Sequence, residues 1–192
     1  QKAVREALAD VYHLNADELM VSNGSEALLD LLIRTYAGPG DEVLFPQYSF
    51  PIYPICSRAA GATPVEAYVK DWGTDIEALL SAVTERTRVV IIANPNNPTG
   101  TWISKSELAR LRMGLRGDIL LIIDAAYAEY MEDEAYSAGH DLVKANQNVV
   151  VTRTLSKAYG LASARVGWAH MPGEILDVVS RIKSVFPVTG PS

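Results

Sequence analysis

The stretch ILLIIDAAY, residues 119–127, decides the fold. Its first five residues are apolar without a break, Asp124 follows at once, and Tyr127 comes three positions later. An apolar run of this length is typical of a strand buried on both faces, as happens where helices cover both sides of a largely parallel sheet. Ligands of such sheets bind beyond the carboxyl ends of the strands, so Asp124 is a candidate functional group.

Segments of the same kind recur on both sides of this strand and alternate with helical patterns. Strands are predicted at residues 19–22, 42–45, 63–69, 88–93, 119–124, 148–153 and 165–170. Helices are predicted near residues 2–12, 24–37, 49–60, 75–83, 105–116 and 173–184. Ser104 and Glu107 predict a capping box at the start of the helix from 105. The alternation predicts an α/β fold, a three-layer α/β/α domain with a mostly parallel central sheet over residues 1–192.

Composition narrows the class of protein. The chain has 192 residues, 48% of them hydrophobic and 21% charged, as is typical of soluble globular proteins. Its net charge of −6 argues against nucleic acid or a membrane surface as the main partner. The single cysteine, Cys56, cannot form an internal disulfide, which favours a reducing, cytoplasmic location. The histidines, at 13, 140 and 170, lack the spacing of metal ligands, so no metal site is predicted.

Two polar stretches follow predicted strands and each has two interpretations. In SNGSE (22–26), the amides that open the next helix could bind an anion together with the Ser25 hydroxyl. Ser25 could equally be an ordinary N-cap. In NPNNPTG (94–100), the prolines stiffen a corner that carries three asparagine amides. A plain turn and a binding loop both fit that composition.

Charged groups after two further strands complete the candidate site. Asp124 ends a buried strand, where a carboxylate needs either a structural salt bridge or a cationic ligand nitrogen. In TRTLSKAYGLASARVGW (152–168), hydroxyl groups precede Lys157 and Arg165 follows it. Arginine and hydroxyls suit a phosphate, which leaves the lysine free as a nucleophilic amine. A phosphate site, an amine, a buried carboxylate and an amide-bearing loop together meet the needs of pyridoxal phosphate.

At this point the sequence resembles the class I/II aminotransferases of the fold-type I pyridoxal-phosphate enzymes, and most of all their histidinol-phosphate branch. The segments that carry the resemblance span nearly the whole chain in family order. They are NGSEALLDLLIR (23–34), PGDEVLFPQYSFPIY (39–53), NPNNPTG (94–100), IIDAAYAEY (122–130) and TLSKAYGLASARVGW (154–168). The resemblance implies the large domain of an aspartate-aminotransferase-like enzyme.

The resemblance also implies residue roles. Lys157 matches the catalytic lysine that forms a Schiff base with the cofactor and moves the proton at the substrate Cα. Asp124 matches the partner of the pyridine nitrogen, Asn97 and Tyr127 match the residues that hold the phenolic oxygen, and Tyr48 matches an aromatic residue stacked on the ring. The phosphate-binding positions are Ser25, Glu26 through its backbone amide, Thr154, Ser156 and Arg165.

The sequence departs from the family pattern at several positions and in length. Ala27 follows Glu26 where members often have Asp-Glu, and Leu161-Ala162-Ser163-Ala164-Arg165 stands where Leu-Ala-Gly-Leu-Arg is common. Asp-Ala-Ala-Tyr (124–127) stands where members usually have Asp-Glu-Ala-Tyr. Complete members also have an N-terminal arm and a small C-terminal domain that carries the arginine for the substrate carboxylate. Residues 1–192 match the large domain between these parts, so both are expected to be absent from this chain.

The function implied by the resemblance is transamination of an amino acid, or of an amino-phosphate such as histidinol-phosphate, with 2-oxoglutarate in a homodimer. The expected partners are therefore a small amino acid and a 2-oxo acid. Two alternatives stay open, and Lys157 and Asp124 would serve a decarboxylase as well as an aminotransferase. One is a decarboxylase of the same fold that resembles the threonine-phosphate type, and the other is a non-catalytic cofactor-binding module or truncated fragment.

Overall fold

The helices and strands alternate along the chain, as the sequence predicts. The structure, a computed structural model, describes residues 1–146, 148–185 and 187–188, so part of the closing stretch VFPVTGPS (185–192) lies outside it. The strands are β1 Leu19–Asn23, β2 Glu42–Pro46, β3 Thr63–Ala67, β4 Val69–Lys70, β5 Gly73–Thr74, β6 Thr87–Ala93, β7 Leu120–Asp124, β8 Val149–Thr154 and β9 Val166–His170. The helices are α1 Lys2–Tyr12, α2 Gly24–Tyr36, α3 Ile52–Ala59, α4 Ile76–Ser81, α5 Lys105–Gly114, α6 His140–Ala145 and α7 Gly173–Ser180. Short 3₁₀ turns cover Ala16–Glu18, Ala128–Tyr130 and Ala162–Ala164.

Seven strands of the described chain form one sheet in the order β1-β9-β8-β7-β6-β2-β3. The strands from β3 to β8 in this order pair in parallel, whereas β9 is antiparallel to both its neighbours, β8 and β1. The mostly parallel sheet is therefore confirmed. Its register places Asp124 of β7 beside Ala93 of β6 and Thr152 of β8. Because β9 is reversed, it begins at the edge where β6, β7 and β8 end.

The core lies on both faces of this sheet, which explains the unbroken apolar runs. In β7, Leu120 and Ile122 belong to the cluster under α2 and α3, while Leu121 and Ile123 belong to the cluster under α4 and α5. A third cluster joins α1 to β1 and β9 around the fully buried Trp168. These layers confirm the three-layer α/β/α prediction.

Some predicted boundaries are wrong for identifiable reasons. The strand predicted at 63–69 is interrupted at Tyr68, and β4 then pairs with β5 in a separate two-stranded ribbon. The helix predicted from 49 begins at Ile52, directly after Pro51, a residue suited to the start of a helix. Helix α6 is too short to show a period, and the sequence gives no prediction for it. Arg165 has left-handed backbone angles and precedes β9 instead of opening it.

The start of α5 confirms a local prediction. The Ser104 side chain accepts a hydrogen bond from the Glu107 amide, and the Glu107 carboxylate accepts one from the Ser104 amide at 2.7 Å. This reciprocal pair satisfies two amides that have no partner within the helix. None of the helices described is long and apolar enough to cross a membrane.

Truncation of the central strand should destabilise the whole domain. We expect Ile122→Ala to lower the free energy of unfolding by about 2–5 kcal/mol. Ile122 is fully buried, so the substitution would leave a cavity that the surrounding side chains cannot close. Val11→Ala, at a site that is 64% exposed, should change it by less than about 0.5 kcal/mol. Urea unfolding of the wild type and both variants measures the difference. Equal effects of the two substitutions would contradict this account of the core.

Candidate active site

A cleft at the carboxyl edge of the sheet collects nine of the ten predicted site residues. They come from the start of α2, the loop after β6, the end of β7 and the segment between β8 and β9. The nine are Ser25, Glu26, Asn97, Asp124, Tyr127, Thr154, Ser156, Lys157 and Arg165. Phe50, Ala93, Pro95 and Ala126 complete the lining. Lys157 and Asp124, predicted to act on one ligand, therefore share one cleft.

Asp124 is the most deeply buried charged group of the cleft, with 5% of its surface exposed. Tyr53 donates a hydrogen bond to its Oδ2 at 3.0 Å, and Thr152 donates one to its Oδ1 at 3.2 Å. Burial raises the pKa of the Asp124 carboxyl to about 6, although the hydrogen bonds from Tyr53, Thr152 and the Ala126 amide, together with the charge of Lys157, act to lower it. The partners of the carboxylate are mainly neutral, which leaves it suited to a cationic group in the cleft.

Lys157 lies on a turn just after the carboxyl end of β8. The Gly160 amide donates to the Lys157 carbonyl at 2.9 Å, and the Leu161 amide donates to the Leu155 carbonyl at 3.1 Å. The Lys157 Nζ lies 5.3 Å from the centre of the Tyr127 ring. The amine thus faces the same space as Asp124.

The donors of an anion site converge where α2 meets β9. Helix α2 begins at Gly24 and its cap is Asn23, so Ser25 lies in the first turn and is not the N-cap. The guanidinium of Arg165 lies directly over Gly24, where a Cβ would overlap it. A Cβ on Gly167 would overlap the Ser25 amide in the same way. These two glycines therefore bring arginine, helix amides and hydroxyls together, as anion binding requires.

The three asparagines of the loop NPNNPTG have different environments. Asn94 exchanges two hydrogen bonds with the Ile103 backbone, at 3.1 and 2.9 Å. Asn96 donates to the Tyr48 carbonyl at 3.0 Å and to the Thr99 hydroxyl at 2.8 Å. Both amides thereby stiffen the loop, while Asn97 lines the cleft. The loop is a rigid turn whose Asn97 faces the cleft, and its role as a binding loop stays a prediction.

Tyr48 is the predicted site residue that the structure does not bring to the cleft wall. Its side chain is 56% exposed and its ring lies 5.0 Å from that of Trp72. Phe50 is the aromatic residue of this segment that lines the cleft. Stacking of Tyr48 on a ligand stays a prediction.

Two residues that support Asp124 were missed from the sequence. Tyr53 lies within α3 and its sequence context is that of ordinary core packing. Thr152 carried a usable signal, because parallel pairing of β7 with β8 sets it beside Asp124. Burial and the nearby carboxylate raise the pKa of the Tyr53 phenol well above its ordinary value, so Tyr53 is the hydrogen-bond donor of the pair.

Comparison with known proteins agrees with this geometry. The family model for aminotransferase class I and II matches residues 1–192. The histidinol-phosphate aminotransferase of Erythrobacter litoralis is 50% identical over 188 residues, which are 98% of this chain and 51% of that protein. That of Zymomonas mobilis is 51% identical over 187 residues, 97% of this chain and 51% of the relative. The chain thus spans about half the length of these curated relatives.

Solved structures share the fold. The histidinol-phosphate aminotransferase of Sinorhizobium meliloti, crystallised with pyridoxal-5'-phosphate, superimposes with a TM-score of 0.91 at 27% identity and covers 97% of this chain and 50% of that one. A mutant aspartate aminotransferase of Thermus thermophilus superimposes with a TM-score of 0.82 at 28% identity, over 93% and 52% of the two chains.

The raised pKa of Asp124 predicts an unusual effect on stability. Its folded pKa of about 6 exceeds the unfolded value of about 3.9, so its stabilising contribution is fully present below pH 4 and is lost as the pH rises through 6. Asparagine cannot ionise. We therefore expect Asp124→Asn to raise the free energy of unfolding of the ligand-free protein by roughly 1–3 kcal/mol at pH 8, relative to its effect at pH 4.

Asp118→Asn is the control with the opposite sign. A hydrogen bond from Arg116 lowers the pKa of Asp118, so its contribution is present at pH 8 and is lost on acidification. Urea unfolding at both pH values measures each variant. The account of Asp124 is wrong if Asp124→Asn destabilises the ligand-free protein more at pH 8 than at pH 4.

Proposed function

The chain belongs to the class I and II aminotransferases, and on that basis we propose that residues 1–192 are the cofactor-binding large domain of a pyridoxal-phosphate enzyme that transfers the amino group of histidinol phosphate to 2-oxoglutarate. One observation carries the proposal. A lysine amine, a buried carboxylate and a set of anion donors line the same cleft. Pyridoxal phosphate has a group of matching chemistry for each of the three.

The residues present fit this cofactor. Ser25, the Glu26 amide, Thr154, Ser156 and Arg165 would hold its phosphate, because they combine hydroxyls, helix amides and a guanidinium. The carboxylate of Asp124 would hold the protonated ring nitrogen, and Asn97 and Tyr127 would hold the phenolic oxygen. When bound, the cofactor supplies an aldehyde for the Lys157 amine and a ring that withdraws electrons from the substrate Cα.

The protein side chains would divide the remaining work. Lys157 Nζ would be the base within the cleft that takes the proton from the substrate Cα and transfers it to the cofactor. Asp124 stays ionised against a cation, because the added charge lowers its pKa from the value that burial alone imposes. Tyr53 and Thr152 keep that carboxylate oriented through one hydrogen bond to each oxygen.

The substrate assignment draws on the relatives. Proteins named histidinol-phosphate aminotransferase are 48–51% identical to this chain over nearly its whole length. A homodimer belongs to the same proposal, and the exposed Tyr68 and Trp72 around the β4–β5 ribbon offer apolar surface for a second copy. A cytoplasmic location fits the single buried, unpaired Cys56.

Covalent trapping tests the cofactor assignment directly. The protein is mixed with pyridoxal phosphate, reduced with borohydride, digested with trypsin and measured by mass spectrometry. We expect the cofactor on Lys157, in the uncut peptide 154–165, since modified lysine resists trypsin. Lys157→Ala should lose this label.

Lys105→Ala is the matched control, because Lys105 is an exposed lysine paired with Asp141 on the surface. It should leave the label in place. A label of unchanged yield in Lys157→Ala, or one spread evenly over surface lysines, would rule out the assignment.

Product analysis tests the reaction. Histidinol phosphate and 2-oxoglutarate are supplied to the protein as its gene encodes it, and glutamate is measured alongside carbon dioxide. We expect glutamate to form and Lys157→Ala to lower its rate by at least about a thousandfold. Histidinol phosphate has no carboxyl group, so a parallel sample receives threonine phosphate instead. Release of carbon dioxide in that sample, with no glutamate from the histidinol phosphate sample, would identify a decarboxylase.

A further inference from the structure

Behind the cleft, four polar side chains pack into a cluster that the proposed chemistry does not use. Tyr12 is the last residue of α1, Glu129 follows β7, Arg153 lies in β8 and Tyr159 lies on the lysine turn. The Tyr12 hydroxyl contacts the Tyr159 hydroxyl at 2.6 Å and Glu129 Oε1 at 3.0 Å. Residues far apart in sequence thus meet at a single phenol.

The chemistry of the groups fixes the direction of these hydrogen bonds. An ionised carboxylate can only accept hydrogen bonds, so the Tyr12 hydroxyl donates its one hydrogen to Glu129. Tyr159 must then be the donor to Tyr12. The result is a chain of hydrogen bonds from Tyr159 through Tyr12 to Glu129, in which the direction of each hydrogen bond is fixed.

Arg153 holds the far end of this chain. Its Nη2 donates to Glu129 Oε1 at 2.6 Å, and the side chains of both residues are nearly buried. Its guanidinium also lies 4.9 Å from the centre of the Tyr12 ring, which packs on Trp168 at 4.8 Å between ring centres. The Arg153 Nη1 contacts His140 Nε2 at 3.2 Å. The buried Glu129–Arg153 pair is thus held by several neighbours, and removal of either partner would leave an uncompensated charge, so the pair can serve as an anchor.

This chain of hydrogen bonds connects two of the segments that carry cleft residues. Tyr159 comes two residues after Lys157, on a turn closed by the Gly160 amide and the Lys157 carbonyl. Glu129 comes two residues after Tyr127, whose ring faces the Lys157 amine. Tyr12 therefore joins the backbone that presents the amine to the backbone that presents the tyrosine.

We propose that Tyr12 is a positioning residue, whose hydroxyl ties the Lys157 turn to the Glu129–Arg153 anchor and so fixes the amine relative to Tyr127 and Asp124. The functional part of this inference depends on the proposed role of Lys157 as the lysine that binds pyridoxal phosphate. The structural part, that the turn is held by the hydroxyl, stands apart from any cofactor.

A simpler role for Tyr12 would be to dock α1. Leu8 and Ala9 are already buried against Leu19 and Trp168, and the Tyr12 ring packs on this apolar cluster. Docking would therefore need the ring and not the hydroxyl. Tyr12→Phe separates the two roles, because it keeps the ring and removes both hydrogen bonds.

Hydrogen exchange tests the structural part in the cofactor-free protein as its gene encodes it. Tyr12→Phe should speed exchange of the amides in the turn 155–161 by about threefold to tenfold, the effect of one hydrogen bond of ordinary strength. Tyr159→Phe should do the same, and the double variant should be no faster, because each single variant already removes the Tyr12–Tyr159 hydrogen bond that holds the turn. Amides of the central strands β6 and β7 should keep their wild-type rates.

Tyr36→Phe is the matched control, since Tyr36 is a partly buried tyrosine that packs on the core cluster under α2 and α3. It should leave the turn unchanged. Should Tyr12→Phe not fold, Tyr159→Phe carries the test, because Tyr159 is 45% exposed and its loss removes little packing. Wild-type exchange in the turn of both tyrosine variants, or equal acceleration throughout the domain, would overturn the proposal.

The rate of attachment of pyridoxal phosphate to Lys157, followed by borohydride trapping, tests the functional part. We expect both tyrosine variants to slow attachment by about threefold to tenfold, with Tyr36→Phe at the wild-type rate. An unchanged rate in variants whose turn exchanges faster would overturn the functional part. If the wild type itself takes no label on Lys157, the proposed function fails, and the exchange experiment still decides whether Tyr12 holds the turn.

Discussion

The candidate site is organised around one carboxylate that is buried at the end of an apolar strand. Asp124 terminates β7 in the centre of the sheet, where water is excluded and ionisation is unfavourable. Tyr53 and Thr152 orient it but bring no charge. A protein that keeps a carboxylate in such a place sacrifices stability in the ligand-free state, and a cationic ring nitrogen is the partner that would restore it.

Sheet topology gathers the other groups around this carboxylate. Because β6, β7 and β8 pair in parallel, the segments at their carboxyl ends lie at one edge of the sheet. These segments carry Pro95 and Asn97 after β6, Tyr127 after β7, and Thr154 to Lys157 at the end of β8. The start of α2 reaches the same edge through close contact with β9 at Gly167. The order of the strands therefore determines where the site lies, and the local motifs determine which side chains stand there.

The sequence predicted the parts of this arrangement that are written in local patterns. Short apolar segments, several of them unbroken, located every strand of the main sheet, and the motifs around Asp124 and Lys157 pointed to the cleft that contains them. The short helix α6 and the β4–β5 ribbon have too few residues for a period. The division of labour among Asn94, Asn96 and Asn97, the support of Asp124 by Tyr53, and the exposed position of Tyr48 depend on tertiary contacts, which no local pattern records.

The reversal of β9 has a mechanical consequence. The chain between Thr154 and Val166 leaves and re-enters the sheet at the same edge, so it forms an arch with both feet fixed in neighbouring strands. Lys157 stands near one foot and Arg165 is the other. A molecule held at both Arg165 and Lys157 would connect the two ends of the arch, so occupancy should stiffen the segment between them.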